Sequence, residues 1–170
     1  MCYEDAAVKT LLIVYHSMTG GTMQMAEAAA AGARTESELR VSLLRAADAG
    51  ATEVLGADGY MFATPENLAA MSGQMKDFFD RTYYAALDRI NGRAYAVLIC
   101  AGSDGRNAAG QIERIATGWR LRSIAEPLIV CTHAQSPEEI LRPKRIHAAR
   151  LKQCEELGAT LAAGILLGIF

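Results

Sequence analysis

The stretch Ser17-Met18-Thr19-Gly20-Gly21-Thr22 places two glycines and three hydroxyls within six residues. It joins the apolar run "KTLLIVYH" (9–16) to an alanine-rich segment with helical spacing, from about Thr22 to Ala33. Gly20 and Gly21 can take positive φ and let backbone approach a ligand closely. The first amides of the following helix have no intrahelical acceptors and carry the positive end of its dipole. With three neutral hydroxyl donors added, the stretch suits a phosphate dianion held by neutral hydrogen bonds. The alternative is a well-capped turn with incidental hydroxyls. No Lys lies between Lys9 and Lys76, and neither GxxxxGK[ST] nor GxGxxG occurs. A nucleoside-triphosphate loop and the common dinucleotide fingerprint are therefore excluded.

Two more loops carry unusual polar content. In "ATPENLAAMSGQM" (63–75), Pro65 fixes φ and removes one donor, which stiffens the turn. Thr64, Asn67 and the amides around 66–68 could bond the polar edge of a flat heterocycle, or form an Asx-type turn that caps the next helix. Glu66 reads as a solvated charge. In "CAGSDGRNAAG" (100–110), Gly102 and Gly105 permit close backbone approach while Ser103 and Asp104 supply polar groups; a tight turn explains them equally well. "AGSDG" misses the G-x-S-x-G nucleophile spacing by one residue, which argues against a serine hydrolase.

The elements that must position these loops follow from apolar periodicity. Strands are expected at 9–16, 38–46, 57–64, 93–102 and 125–133. Helices are expected at 22–33, about 51–56, 72–90, 107–122, and from about Pro143 onward. Ser72 caps the third helix and Asn91-Gly92 ends it. Five strands alternating with helices predict an α/β three-layer sandwich with a parallel sheet. Right-handed crossovers favour the order 2-1-3-4-5 in a single domain spanning 1–170. Ligands then bind at the carboxyl ends of the strands, near the switch between strands one and three. All three loops leave strands at that end.

Composition narrows the function classes. Over 170 residues the net charge is −2, with Lys and Arg dispersed, so neither nucleic acid nor an anionic membrane is favoured as a partner. Cys2, Cys100, Cys131 and Cys154 form no CxxC pair, and His16, His133 and His147 show no metal-ligand spacing. Free thiols and a cytoplasmic location are the expectation. The N-terminus "MCYEDAAVKT" has no signal-peptide apolar region, and the C-terminal "LGATLAAGILLGIF" is shorter than a membrane span and reads as the end of a core-packing helix. The basic stretch "RPKRIHAAR" (142–150) reads as a solvated helix face, with cations for a 2′-phosphate as its alternative.

Taken together, the loops resemble those of the flavodoxin-like superfamily, and more closely the NAD(P)H-dependent FMN reductases and quinone-reductase-type flavoproteins within it. "HSMTGGT" is similar to the superfamily's phosphate loop, and "TPENLAAMSGQMKDFFDR" resembles the reductases' segment after strand three. The resemblance implies that Ser17, Met18, Thr19, Gly20, Gly21 and Thr22 hold the FMN phosphate. Thr64, Pro65, Glu66, Asn67 and Leu68 would lie along the isoalloxazine, and Ala101, Gly102, Ser103, Asp104 and Gly105 would close its other side. Lys76, Phe78, Asp80 and Arg81 match the motif too, with helical spacing that suggests fold support. The implied activity is hydride transfer from NADPH or NADH to FMN and on to a quinone-like acceptor, with a homodimer as a possible assembly. An electron-transfer flavodoxin is the alternative, and a flavin-free domain on the same sheet a third reading. Neither "TPENL" nor "AGSDG" contains an aromatic. An uncovered ring face favours a reductase, because hydride transfer needs ring-on-ring approach within ~3–3.5 Å. No catalytic acid, base or metal site is expected.

Overall fold

Leu11 to Val14 are fully buried because β1 (Thr10–Tyr15) runs through the middle of a sheet with helices on both faces. The computed structural model describes residues 7–170; Cys2 and the first residues of the N-terminal reading lie outside them. The chain continues through α1 (Gly21–Ala33), β2 (Arg40–Arg45), α2 (Ala51–Gly56), β3 (Gly59–Asn67), β4 (Ala70–Met71) and α3 (Gly73–Ala86). It ends with β5 (Ala94–Ala101), α4 (Arg106–Gly118), β6 (Arg122–Ser123), β7 (Leu128–Cys131), α5 (Pro137–Leu141) and α6 (Ala148–Leu167). The long strands are parallel, so α/β layering is as expected.

The strand count differs. The sheet has seven strands, with path β2-β1-β3-β5-β6, rather than five in the order 2-1-3-4-5. Two local events account for the difference. The chain past Ala63 stays extended through Pro65 and Asn67 and folds back as β4, pairing Glu66 with Met71 and Asn67 with Ala70. On the far edge, β6 and β7 both pair with β5, at Ala94–Tyr95 and Leu98–Ala101 respectively. Between them lies Pro127, which has no amide for the ladder.

Alternation along the strands builds two cores. Leu11, Ile13, Met61, Ala63 and Leu98 face α1 and α6, while Leu12, Val14, Tyr60, Phe62 and Val97 face α2, α3 and α4. The second core is aromatic: Phe62 lies within 5.1–6.4 Å, centroid to centroid, of Phe78, Phe79, Tyr95 and Trp119. The first combines aliphatic side chains with small residues where α1 meets α6. A Cβ on Gly32 would stand 1.9 Å from the Glu155 carbonyl oxygen, and one on Gly158 2.0 Å from that of Ala29. The alanine-rich α1 thus meets α6 backbone to backbone, which fixes the axis along which the α1 N-terminus points.

The third helix ends at Ala86, four residues before the expected stop. Leu87 leaves helical geometry and Asp88 takes φ +63°, ahead of Gly92. Ser72 caps it as expected, accepting from the Met75 amide at 3.3 Å. The motif residues Lys76 and Arg81 serve the fold. Lys76 pairs with Asp80 at 2.6 Å, and Arg81 donates to the carbonyls of Ala46 and Ala49 at 2.8 and 3.0 Å. The last helix begins at Ala148, after the short α5. No helix among the described residues is long and apolar enough to cross a membrane.

Candidate functional site

At the carboxyl ends of β1, β3 and β5 the three loops border one cavity of about 610 Å³, a size typical of small-molecule and cofactor sites. Ser17, Met18, Thr19, Gly21 and Thr22 line it from the first loop. Pro65, Glu66, Asn67 and Leu68 line it from the second, and Ala101, Gly102 and Ser103 from the third. Four expected site residues stand back. Gly20 shapes the turn; Thr64 is buried and hydrogen-bonded with Ser72 at 3.2 Å. Asp104 is turned to Arg106 at 2.6 Å, which holds its carboxyl below the usual range. Gly105 shapes the second of two matching helix starts.

Those two starts decide the character of the site. Gly20 caps α1 at φ 90°, ψ −10°, and Gly105 caps α4 at φ 87°, ψ −14°, both left-handed and neither able to offer a side-chain acceptor. At α4 the deficit is made good from across the cavity. The Glu66 carboxylate accepts from the amides of Gly105 at 2.9 Å and Ala108 at 3.1 Å. Glu66 is therefore a helix cap rather than a solvated charge. At α1 only Gly20 finds a polar partner, its amide donating to Ser17 Oγ at 3.1 Å. Among the described residues nothing accepts from the amides of Gly21, Thr22 or Met23, and the first turn holds no acidic residue. Gly21 and Thr22 are buried and border the cavity. The α1 terminus thus presents to the cavity the donors that α4 satisfies internally with a carboxylate, an arrangement complementary to an anion.

The second loop is rigid. Beyond the Glu66 bonds, Asn107 donates to the Ala69 carbonyl and the Met71 amide donates to Gln111 Oε1 at 2.9 Å. The β3–β4 turn is made by Leu68 and Ala69 at φ 50° and 60°, conformations that side-chain-bearing residues adopt at a cost of order 1–3 kcal/mol. Leu68 stands fully exposed at the cavity mouth. No aromatic side chain lines the cavity among the described residues, and Trp119 is buried in the core.

Sequence reasoning missed the fourth wall. Thr132, Ala134, Gln135, Ile140 and Lys144 line the cavity from the segment between β7 and α6. Gln24 holds this segment against the phosphate-type loop. Its side-chain amide donates to the carbonyls of Gly20 and Lys144 at 2.9 and 2.8 Å, and its Oε1 accepts from the Ile146 amide at 3.1 Å. The Lys144 amide donates to the Thr19 carbonyl at 2.8 Å. The available signal was Ser136-Pro137-Glu138-Glu139, a capping-box sequence that starts α5.

The titratable groups in the lining are occupied or silent. Glu66 caps α4. The Lys144 ammonium donates to the carbonyls of Glu139, Ile140 and Arg142 at 2.7, 2.8 and 2.7 Å. Cys100 lies under Gly21, and burial pushes its thiol up to about 11, so it is no nucleophile at neutral pH. Among the described residues the lining thus offers no uncommitted carboxylate, amine or reactive thiol.

Comparison with known proteins agrees with this geometry. Residues 46–135, just over half of the chain, match the family described as NADPH-dependent FMN reductase. The chain belongs to that family. The match takes in the second and third loops and begins after the first. An NAD(P)H dehydrogenase (quinone) from Acidithiobacillus ferrooxidans is 36% identical over 92 residues, covering 42% of this chain and 46% of that protein. A flavodoxin from Aquifex aeolicus is 34% identical over 95 residues, covering 56% and 51%. The chain thus spans about half the length of these curated relatives. Among solved structures, an archaeal flavodoxin superposes with TM-score 0.75 at 19% identity, covering 92% of this chain and 99% of that one. A WrbA-like flavodoxin from Agrobacterium tumefaciens gives 0.71 at 18% identity, covering 94% and 98%. These likenesses establish the flavodoxin-like fold.

Proposed function

We propose that the cavity binds FMN and that the protein is an NAD(P)H-dependent flavin reductase passing electrons to a quinone-like acceptor. The observation that carries this reading is the α1 N-terminus, whose buried amides at Gly21 and Thr22 face the cavity unsatisfied while the matching terminus of α4 is plugged by Glu66. The residues present fit the group. The Gly21 to Met23 amides, with the hydroxyls of Ser17, Thr19 and Thr22, would hold the phosphate. The stiff Pro65–Ala69 turn and Ala101–Ser103 would border the isoalloxazine.

Bound FMN supplies hydride acceptance and donation. The chain's own part is to bind, orient and leave one side open. Glu66 fixes the second and third loops at a set separation by bridging to Gly105 and Ala108. Gln24 and Lys144 hold the fourth wall against the phosphate loop. The missing aromatic in the lining leaves room for a nicotinamide or a flat acceptor, which favours a reductase over a one-electron carrier. The quinone reductase and the flavodoxin among the relatives represent these two readings.

Titration of the purified protein with FMN, followed by visible spectrum and calorimetry, tests the first half. One equivalent bound per chain is expected, and no binding overturns the proposal. NADPH oxidation with menadione as acceptor tests the second half. Turnover that depends on FMN supports the reductase, whereas bound FMN without turnover establishes the carrier reading instead.

A further inference from the structure

A lysine in the lining of a candidate flavin cavity invites assignment to the phosphate, but Lys144 has no donor left to give. An ammonium carries three N–H groups and accepts nothing. Those of Lys144 go to the carbonyls of Glu139, Ile140 and Arg142 at 2.7, 2.8 and 2.7 Å. Glu139 and Ile140 lie in α5 and Arg142 is its C-cap, so the cation sits where a helix leaves its last carbonyls without amides.

The placing of α5 depends on such bonds. All five of its residues, Pro137–Leu141, are exposed. Five residues are far below the length of about 12–15 at which an isolated helix becomes marginally stable in water. The helix is held by its capping box at Ser136 and Glu139, by the Lys144 ammonium, and by anchors on either side. Upstream, the amides of Thr132 and His133 donate to the carbonyls of Ala101 and Gly102 in the third loop, both at 2.8 Å. Downstream, the Lys144 amide donates to the Thr19 carbonyl at 2.8 Å, and the Lys144 carbonyl accepts from Gln24 at 2.8 Å. Thus α5 is carried on a strap between two loops of the cavity. Among the described residues, Lys144 is the one member of that strap that bonds both the first loop and the helix.

We propose that Lys144 is a positioning residue for the electron acceptor. Its backbone takes its place from the first loop, and its ammonium passes that place on to α5. The wall that Gln135 and Ile140 contribute to the cavity is thereby set relative to the flavin. The assignment rests on the reductase reading, in which the three loops take FMN and this wall is left to meet the acceptor. Lys144 then holds neither the phosphate nor the ring.

The test uses the full chain and the variants K144M and K144R, with R89Q as a distant exposed control. K144M keeps an unbranched stem and both backbone bonds while removing the three donors. Hydrogen exchange, followed by mass spectrometry without added FMN, reads the wall directly. Peptides covering 136–142 should exchange at least about 10-fold faster in K144M than in the unaltered protein, K144R or R89Q, with peptides covering α1 unchanged. The dissociation constant for FMN should move by less than about 3-fold in K144M. In FMN-dependent NADPH oxidation the KM for menadione should rise about 10-fold, with most of the loss in kcat/KM falling on KM, and K144R should restore it. Unchanged exchange in K144M, or exchange in K144R as fast as in K144M, overturns the proposal. FMN binding weakened by about 10-fold or more, with riboflavin binding unaffected, makes the ammonium a phosphate ligand and also overturns it. A loss confined to kcat does the same. The two readings fail separately. No FMN binding, with fast exchange in K144M, refutes the flavin reading alone. FMN-dependent turnover with unchanged exchange in K144M refutes the positioning role alone.

Discussion

Glu66 shows how much one side chain decides at this site. Its carboxylate crosses from the second loop to the third and fills the role at α4 that a phosphate would fill at α1. Glu66→Ala should cost about 1–2 kcal/mol of stability, read from urea denaturation, since it strips a cap from α4. The same change should weaken FMN binding, because the two loops then move independently. His16 offers a pH test. Its Nδ1 is buried without a partner among the described residues, and burial lowers its pKa below the usual 6.5. Well above pH 6.5 the imidazole is neutral in both folded and unfolded chains, and it adds no pH dependence to stability. As pH falls from 6.5 toward the depressed folded value, the unfolded chain takes up the proton first and stability drops. His16→Gln should remove that part of the slope when denaturation midpoints of the two proteins are compared from about pH 8 to about pH 5. That the first loop borders the cavity was legible because it leaves β1 at the carboxyl edge of the sheet. The role of Glu66 was not, because its partners lie 39 and 42 residues away.

Helix packing sets where the α1 terminus points. Gly32 and Gly158 bring α1 and α6 into backbone contact, and a methyl group at either would overlap a carbonyl that cannot move away. Gly158→Ala should cost about 1–3 kcal/mol or more, measured by thermal or urea unfolding, with looser FMN binding as the helix shifts. The main strands and α1 to α4 were readable because each buries a regular apolar face. The remainder was obscured for identifiable reasons. β4 and β6 are two residues long and exist only through their partners. Pro65, read as a turn residue, lies in β3 in register with Cys100 of β5. Leu68 and Ala69 occupy left-handed conformations that their residue types do not signal.

Across the whole molecule the cavity lies where neighbouring crossovers diverge, between β1 and β3, and its walls come from four separate stretches of chain. Ligand binding should therefore report on global stability. FMN at 100 times its dissociation constant should stabilise the fold by about 2.7 kcal/mol, visible as a rise in Tm. Riboflavin, which lacks the phosphate, should give a much smaller rise. Equal shifts for the two would remove the α1 terminus from the site. The broken strand opposite β5 has a consequence for assembly. A sheet margin with a continuous row of free amides and carbonyls invites a neighbouring copy to zip on and propagate. Here that margin is cut into two short pieces around a proline, with nothing long enough to template another chain. Self-association along this border is discouraged by the covalent chain itself.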